Sequence, residues 1–235
     1  MLERFFEDYP EFQKTSLVTP DLGRLNPRFN ALIAHNRGII NGAKILDLGS
    51  HDGRWTFAAL KNGAASVTGV EGRSYLVDKA EKTMSLYGIA PPRFEFIVGD
   101  VNEVVGTFAK RLFDVVFVFG ILYHVPCPFD LLRKVTALEP KYIIVDTSLS
   151  KMKEPVIELR QDDADRESDS ISLNGKQKNI LVGYPSEAAL LMMLADLGYV
   201  SKKVDYDAMG INDWSQILDY KEKYRISVVA RRSFA

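Results

Sequence analysis

Three acidic residues stand where short apolar runs give way to turns: Asp47 in KILDLG (44–49), Glu71 in SVTGVEG (66–72) and Asp100 in FEFIVGD (94–100). A carboxylate in such a place can accept hydrogen bonds from hydroxyls or an amino group and attracts an ammonium. Between the first two lies a tight turn, Gly49-Ser50-His51-Asp52-Gly53. Turns of this kind often cradle a phosphate at a helix N-terminus. A dinucleotide turn, however, reads GxGxxG, and its second glycine lets the backbone approach the pyrophosphate. Here His51 holds that place, and no GK[ST] follows to make a P-loop. Asp47, just before the turn, would repel a diphosphate and favour a cationic amino group.

S-adenosylmethionine (SAM) carries such a group with a sulfonium, a ribose and an adenine, and no phosphate. Glu71, 24 residues beyond Asp47 and followed by Gly72, suits both ribose hydroxyls. An acid near this spacing also serves NAD. Asp100 can accept from the adenine amino group while the Val101 N–H donates to the ring. A fourth run, FDVVFVFG (113–120), ends in Phe119-Gly120, where a glycine admits the methionyl part close to the backbone. Next comes GILYHVPCPFDLL (120–132), with Tyr123, His124 and Cys127. His124 is the candidate general base, with Tyr123 beside it, because imidazole is the side chain suited to proton transfer near neutrality. Arg24 and Arg28 could reach a carboxylate of SAM or of the substrate, although surface positions are the ordinary expectation for arginine.

The elements that must position these residues follow from the pattern of runs. A fifth, KYIIVDT (141–147), completes the series, and segments 55–63, 74–87, 101–110 and 128–137 between the runs have helical character. Continuous Val/Ile/Phe runs alternating with helices predict βαβ units and a parallel sheet covered on both faces. Right-handed crossovers place all the strand C-termini on one edge, where open α/β sheets bind ligands. Ahead of this lies a lead-in, 1–42. Its aromatic stretch (Phe5, Phe6, Tyr9, Phe12) is expected to cover core, and a helix over 27–40 is expected to start at Pro27. Beyond the fifth run, residues 149–183 read as an inserted lid. Its charged segment QDDADRESDS (161–170), expected as a solvated face, lies between possible short strands at 155–160 and 177–183. A helix over 185–197 and an antiparallel pair, 198–207 with 223–232, finish the pattern.

ILDLGSHDG, VEG, VGDV and FDVVFVFGILYHVPCP together resemble the class I SAM-dependent methyltransferases, across residues 43–147. PSEAALLMMLADLGY and RISVVARR are similar to that family's last helix and antiparallel seventh strand. The resemblance implies a doubly wound, mostly parallel seven-stranded α/β sheet in the order 3-2-1-4-5-7-6. It implies a single domain over 1–235, with the lid inserted after the fifth strand. It also implies a SAM site, yielding S-adenosylhomocysteine (SAH), built from Asp47, Gly49, Ser50, His51, Gly53, Glu71, Gly72, Asp100, Val101, Phe119 and Gly120. The family usually has a glycine or small residue where His51 stands. The segment after the fourth strand lacks the [DNS]PP[YFW] of enzymes that methylate base amino groups. Gly120 replaces the aspartate of metal-dependent catechol enzymes. LYHxxxP is similar to tRNA wobble-uridine carboxymethyl-transferases and to many small-molecule methyltransferases.

Composition narrows the partners. A net charge of −1, from 30 Lys+Arg against 31 Asp+Glu, provides no footprint for nucleic acid. One cysteine excludes an internal disulfide, and three histidines without ligand spacing suggest no metal site. A charged N-terminus without an apolar core and the lack of a run of ~20 apolar residues point to a cytoplasmic protein without a membrane span. A small-molecule methyl acceptor, methylated on O or N, is therefore the expectation. An RNA or protein methyltransferase and a non-catalytic SAM-binding protein are the alternatives.

Overall fold

The computed structural model describes residues 2–15, 18, 20–171 and 177–233. Two single turns, Phe5–Glu7 and Pro10–Gln13, lead into helix α1 (Leu22–Leu32) and the short α2 (Arg37–Ile40). Phe6 and Phe12 are fully buried, and Phe5 stacks on Phe29 with ring centroids 4.3 Å apart. Each such burial contributes roughly 1.5–3 kcal/mol, so the lead-in is part of the core, as its aromatics predict. Polar side chains set its register. Asn26 accepts the Phe6 N–H at 3.0 Å, and Asn30 both accepts the Glu3 N–H and donates to the Glu3 carbonyl.

Pro27 does not open this helix. It lies in the middle of α1, which starts five residues earlier, after Asp21. The chain then breaks at Ile33 into a 3-10 turn before α2, so the segment expected as one helix is two. The lead-in packing against Phe29 and Asn26 outweighs the hydrogen bond that proline removes from the helix interior.

The alternating pattern follows as β1 (Lys44–Leu48), α3 (Arg54–Lys61), β2 (Ser66–Glu71), α4 (Ser74–Leu86), β3 (Phe94–Val98), α5 (Val101–Val104), β4 (Val115–Phe119), α6 (Pro128–Ala137) and β5 (Tyr142–Ser148). The helix expected over 101–110 is only α5 and one further 3-10 turn. A separate hairpin comes next, β6 (Ile157–Asp163) with β7 (Asn179–Pro185). Then come α7 (Glu187–Asp196), β8 (Tyr199–Lys203), α8 (Leu218–Lys221) and β9 (Arg225–Arg232). The main sheet runs β3-β2-β1-β4-β5-β9-β8. β1 to β5 are parallel and β9 is antiparallel between β5 and β8. Counting the strands of this sheet alone, the order is 3-2-1-4-5-7-6, as expected.

Residues alternate between two cores on either face. Ile45, Phe117 and Phe119 pack beneath the lead-in, while Leu46, Leu48, Val116 and Val118 pack against α6 and α7. That double coverage is why these strands read as unbroken apolar runs. The lead-in, helices α3 and α4 and the sheet thus hold the C-terminal ends of β1, β2, β4 and β5 in fixed register. Among the described residues, no helix is long and apolar enough to cross a membrane.

Candidate active site

A cleft of about 430 Å³ opens at that edge. Gly49 and His51 of the turn, Glu71 and Gly72 at the end of β2, Asp100 and Val101 after β3, and Phe119 and Gly120 at the end of β4 line it, with Tyr123 and His124. Ten of the expected site residues therefore line one cleft. Asp47, Ser50 and Gly53 do not reach it.

Glu71, almost wholly buried, accepts the His51 N–H (3.0 Å) on one oxygen and the Arg73 N–H (2.9 Å) on the other. A carboxylate offers about four acceptor positions, so two remain for a ligand. His51 adopts the left-handed conformation (φ 54°), which is uncommon for a residue with a side chain. Its imidazole stands in the cleft wall, where a dinucleotide turn would bring bare backbone to a pyrophosphate. Asp100 caps α5 by accepting the Asn102 N–H at 2.8 Å, which aligns Val101 at the cleft wall.

The structure places Asp47 differently from the expectation that it faces an ammonium. Its side chain is buried beneath the turn and accepts from the Thr56 hydroxyl at 2.7 Å. Its other oxygen has no partner among the described residues. Burial pushes its carboxyl up to about 7, against the Thr56 bond and with the help of the Glu71 charge. The strand pairing explains this placement. Asp47 sits opposite Gly69 on β2 and Phe117 on β4, inside the sheet rather than at its end.

A second cluster escapes the motif reading. Asp146, fully buried near the end of β5, accepts from Arg28 (3.0 Å), Arg225 Nε (2.7 Å), Tyr220 (2.6 Å) and Ser227 (2.8 Å). Burial alone would raise its carboxyl, but the Arg225 and Arg28 charges hold it well below the usual range. Burial likewise pushes the Tyr220 hydroxyl to about 12, which keeps it a neutral donor. Arg24, expected at the surface, is paired with Asp219 at 2.7 and 2.8 Å. Arg24, Arg28 and Arg225 all line the cleft. Within this cluster three guanidinium charges face two carboxylates, which leaves one positive charge over. Arg28, also expected at the surface, is nearly enclosed, lies over Trp55 and has no acceptor for its Nε among the described residues. Arg225 sits on the antiparallel β9, far outside the glycine-turn pattern, and only the register Asp146↔Ser227 brings it here.

The hairpin roofs the cleft. The Gly183 N–H donates to the Val125 carbonyl, and a side chain at Gly183 would meet the Pro126 carbonyl at 2.7 Å. On the other side, Arg73 donates to the carbonyls of Arg166 (3.2 Å) and Asp169 (2.7 Å), and Tyr75 donates to Glu167. Ser168, Asp169, Ser170, Ile171 and Ile180 also line the cleft. The charged segment 161–170 is therefore not a purely solvated face. Asp162 and Ser170 point inward and are buried, while residues 172–176 lie outside the described residues.

Residues 45–141 match a family model described as "Methyltransferase domain". The mitochondrial ubiquinone biosynthesis O-methyltransferase of Schizosaccharomyces pombe (strain 972 / ATCC 24843) is 34% identical over 104 residues. That match takes in 44% of this chain and 36% of the relative, so the chain spans about a third of the relative's length. The N-terminal domain of EvdMO1, crystallised in the presence of SAH and D-fucose, superposes with a TM-score of 0.65 at 21% identity, covering 88% of this chain and 83% of that one. The [4+2]-cyclase SpnF superposes with a TM-score of 0.60 at 17% identity, covering 91% and 85%. Likeness at this identity establishes the fold. A cyclase among the neighbours shows that the fold does not by itself choose a reaction.

Proposed function

We propose that this chain, whose residues 45–141 match a methyltransferase-domain model, is a class I SAM-dependent methyltransferase that moves a methyl group from SAM to an oxygen or nitrogen of a small molecule. The observation that carries this reading is the convergence of Glu71, Asp100 and the Gly49 turn on one cleft that also contains His124. The residues present fit the cofactor. Glu71, with two acceptor positions free, would take the ribose hydroxyls, and Asp100 with the Val101 N–H would take the adenine edge. Arg28, which lines the cleft within a cluster carrying one positive charge over, would take the carboxylate.

When bound, SAM supplies an electrophilic methyl group and keeps the C–S electron pair on sulfur. The remaining tasks fall to the protein: holding the acceptor in line, excluding water and receiving any proton the acceptor loses. His124 is the group suited to the last of these, and Tyr123 lines the same wall. The roof over a cleft of about 430 Å³ favours a small acceptor, because cofactor and reacting group share the space. The name of the S. pombe relative favours oxygen over nitrogen. The domain organisation belongs to the same reading: a single domain in which 149–183 acts as a lid.

Titration calorimetry tests the cofactor. SAM and SAH are expected to bind and NAD(H) and NADP(H) to give no heat, because the turn has His51 where a dinucleotide turn has the glycine that admits a pyrophosphate. Tight NADPH binding without SAM binding overturns the proposal.

A further inference from the structure

The hairpin contributes more than a roof. His124 Nδ1 lies 2.8 Å from Asp162 Oδ2, on strand β6. The two residues are 38 apart in sequence, and both side chains are close to nine-tenths buried. Nδ1 must be the donor in this pair, since an ionised carboxylate can only accept. Asp162 is ionised: burial raises its carboxyl, but the bonds from His124 and Ser170 outweigh that and lower it. Ser170 braces the arrangement: its N–H donates to Asp162 Oδ2 (3.0 Å), and its hydroxyl, with one proton to give, lies 2.9 Å from that oxygen, 2.8 Å from the His124 carbonyl and 3.2 Å from His124 Nδ1. His124 Nε2 has no hydrogen bond among the described residues, and the ring lines the cleft.

We infer that Asp162, carried by the inserted hairpin, is the positioning residue that holds His124 as the Nδ1–H tautomer, with a bare Nε2 turned to the acceptor. This rests on His124 being the base of the proposed reaction. The tautomer of a histidine is set by the bond its other nitrogen makes, and a carboxylate behind the ring also stabilises the imidazolium that forms. The balance is simple. The acceptor's O–H or N–H proton goes to Nε2, its lone pair forms the bond to the methyl carbon, and the C–S pair leaves with sulfur. Asp162 stays unprotonated throughout. Because Asp162 and Ser170 both belong to the segment that roofs the cleft, the base is complete only when that segment is seated.

The test is nitrogen NMR on the full chain labelled at histidine, at about pH 8, where free imidazole is neutral. Only His35, His51 and His124 contribute signals, and His124→Asn identifies the third. The wild-type protein is expected to show His124 with a protonated Nδ1 and a bare Nε2. Asp162→Ala is expected to lose that state, moving His124 to the Nε2–H form or to an exchanging mixture, while the His35 signals stay put. A protonated Nε2 in the wild type overturns the inference, and so does an unaltered His124 tautomer in Asp162→Ala. Should that variant not fold, the wild-type spectrum still decides. SAH binding is measured on the same sample. Failure to bind SAH refutes the cofactor reading alone, whereas SAH binding with a bare Nδ1 refutes the dyad alone.

Discussion

Replacing Glu71 with alanine tests whether its two free acceptor positions meet the ribose. Two of about four positions are spent on the His51 and Arg73 N–H groups, which leaves one for each ribose hydroxyl. Hydrogen bonds to a charged acceptor contribute about 1.5–3 kcal/mol each, and water in the vacated space recovers part of that. The net loss is expected at about 1–3 kcal/mol, or roughly 5–150-fold in Kd for SAH. A weaker Kd alone is ambiguous, since removing Glu71 also frees the N–H of His51, whose left-handed backbone it supports. The decisive experiment is a cycle of four calorimetric titrations: wild type and Glu71→Ala, each with SAH and with its 2′-deoxy analogue. If Glu71 holds the hydroxyl, the analogue loses affinity in the wild type and little more in the variant, a coupling of about 1 kcal/mol or more. If both ligands lose equally, with coupling below about 0.5 kcal/mol, Glu71 only braces the turn and the placement of the ribose is refuted.

Asp146→Ala leaves Arg28 and Arg225 buried without their shared counter-charge, which typically costs about 3–5 kcal/mol. At about 2–4 °C per kcal/mol for a domain of this size, scanning calorimetry should find Tm lower by roughly 6–20 °C, and a loss under 1 kcal/mol would contradict the cluster's structural role. Asp47→Asn addresses the other buried acid. Its carboxyl, near 3.9 in an unfolded chain and about 7 here, binds its proton more tightly when folded. The neutral acid's advantage is therefore full below about pH 4 and lost as pH rises through about 7. The asparagine variant has no such loss, so urea unfolding should show its stability relative to wild type improving from about pH 5 to 8. A constant difference across that range would mean Asp47 titrates normally.

Local chemistry made much of this protein legible in its residues. Strands buried on both faces cannot hide as alternating patterns, so KILDL, VVFVF and YIIVD declare a doubly covered parallel sheet. Acids and glycines at or just past strand ends lie where backbone direction alone carries them to one edge, which is why Glu71, Asp100 and Gly120 could be read in advance. Tertiary structure decided the rest wherever the partner is distant in sequence. Pro27 reads as a helix start because only its neighbours are visible, yet Phe5 and Phe6 pack α1 around it. Asp47 reads as a ligand group until the pairing with Gly69 and Phe117 buries it. Arg225, 79 residues from Asp146, and Asp162, 38 from His124, carry no local signal. An arginine in a C-terminal strand and an aspartate in an acidic run are ordinary solvated residues until an antiparallel register and a folded-back hairpin remove the water and supply the opposite charge.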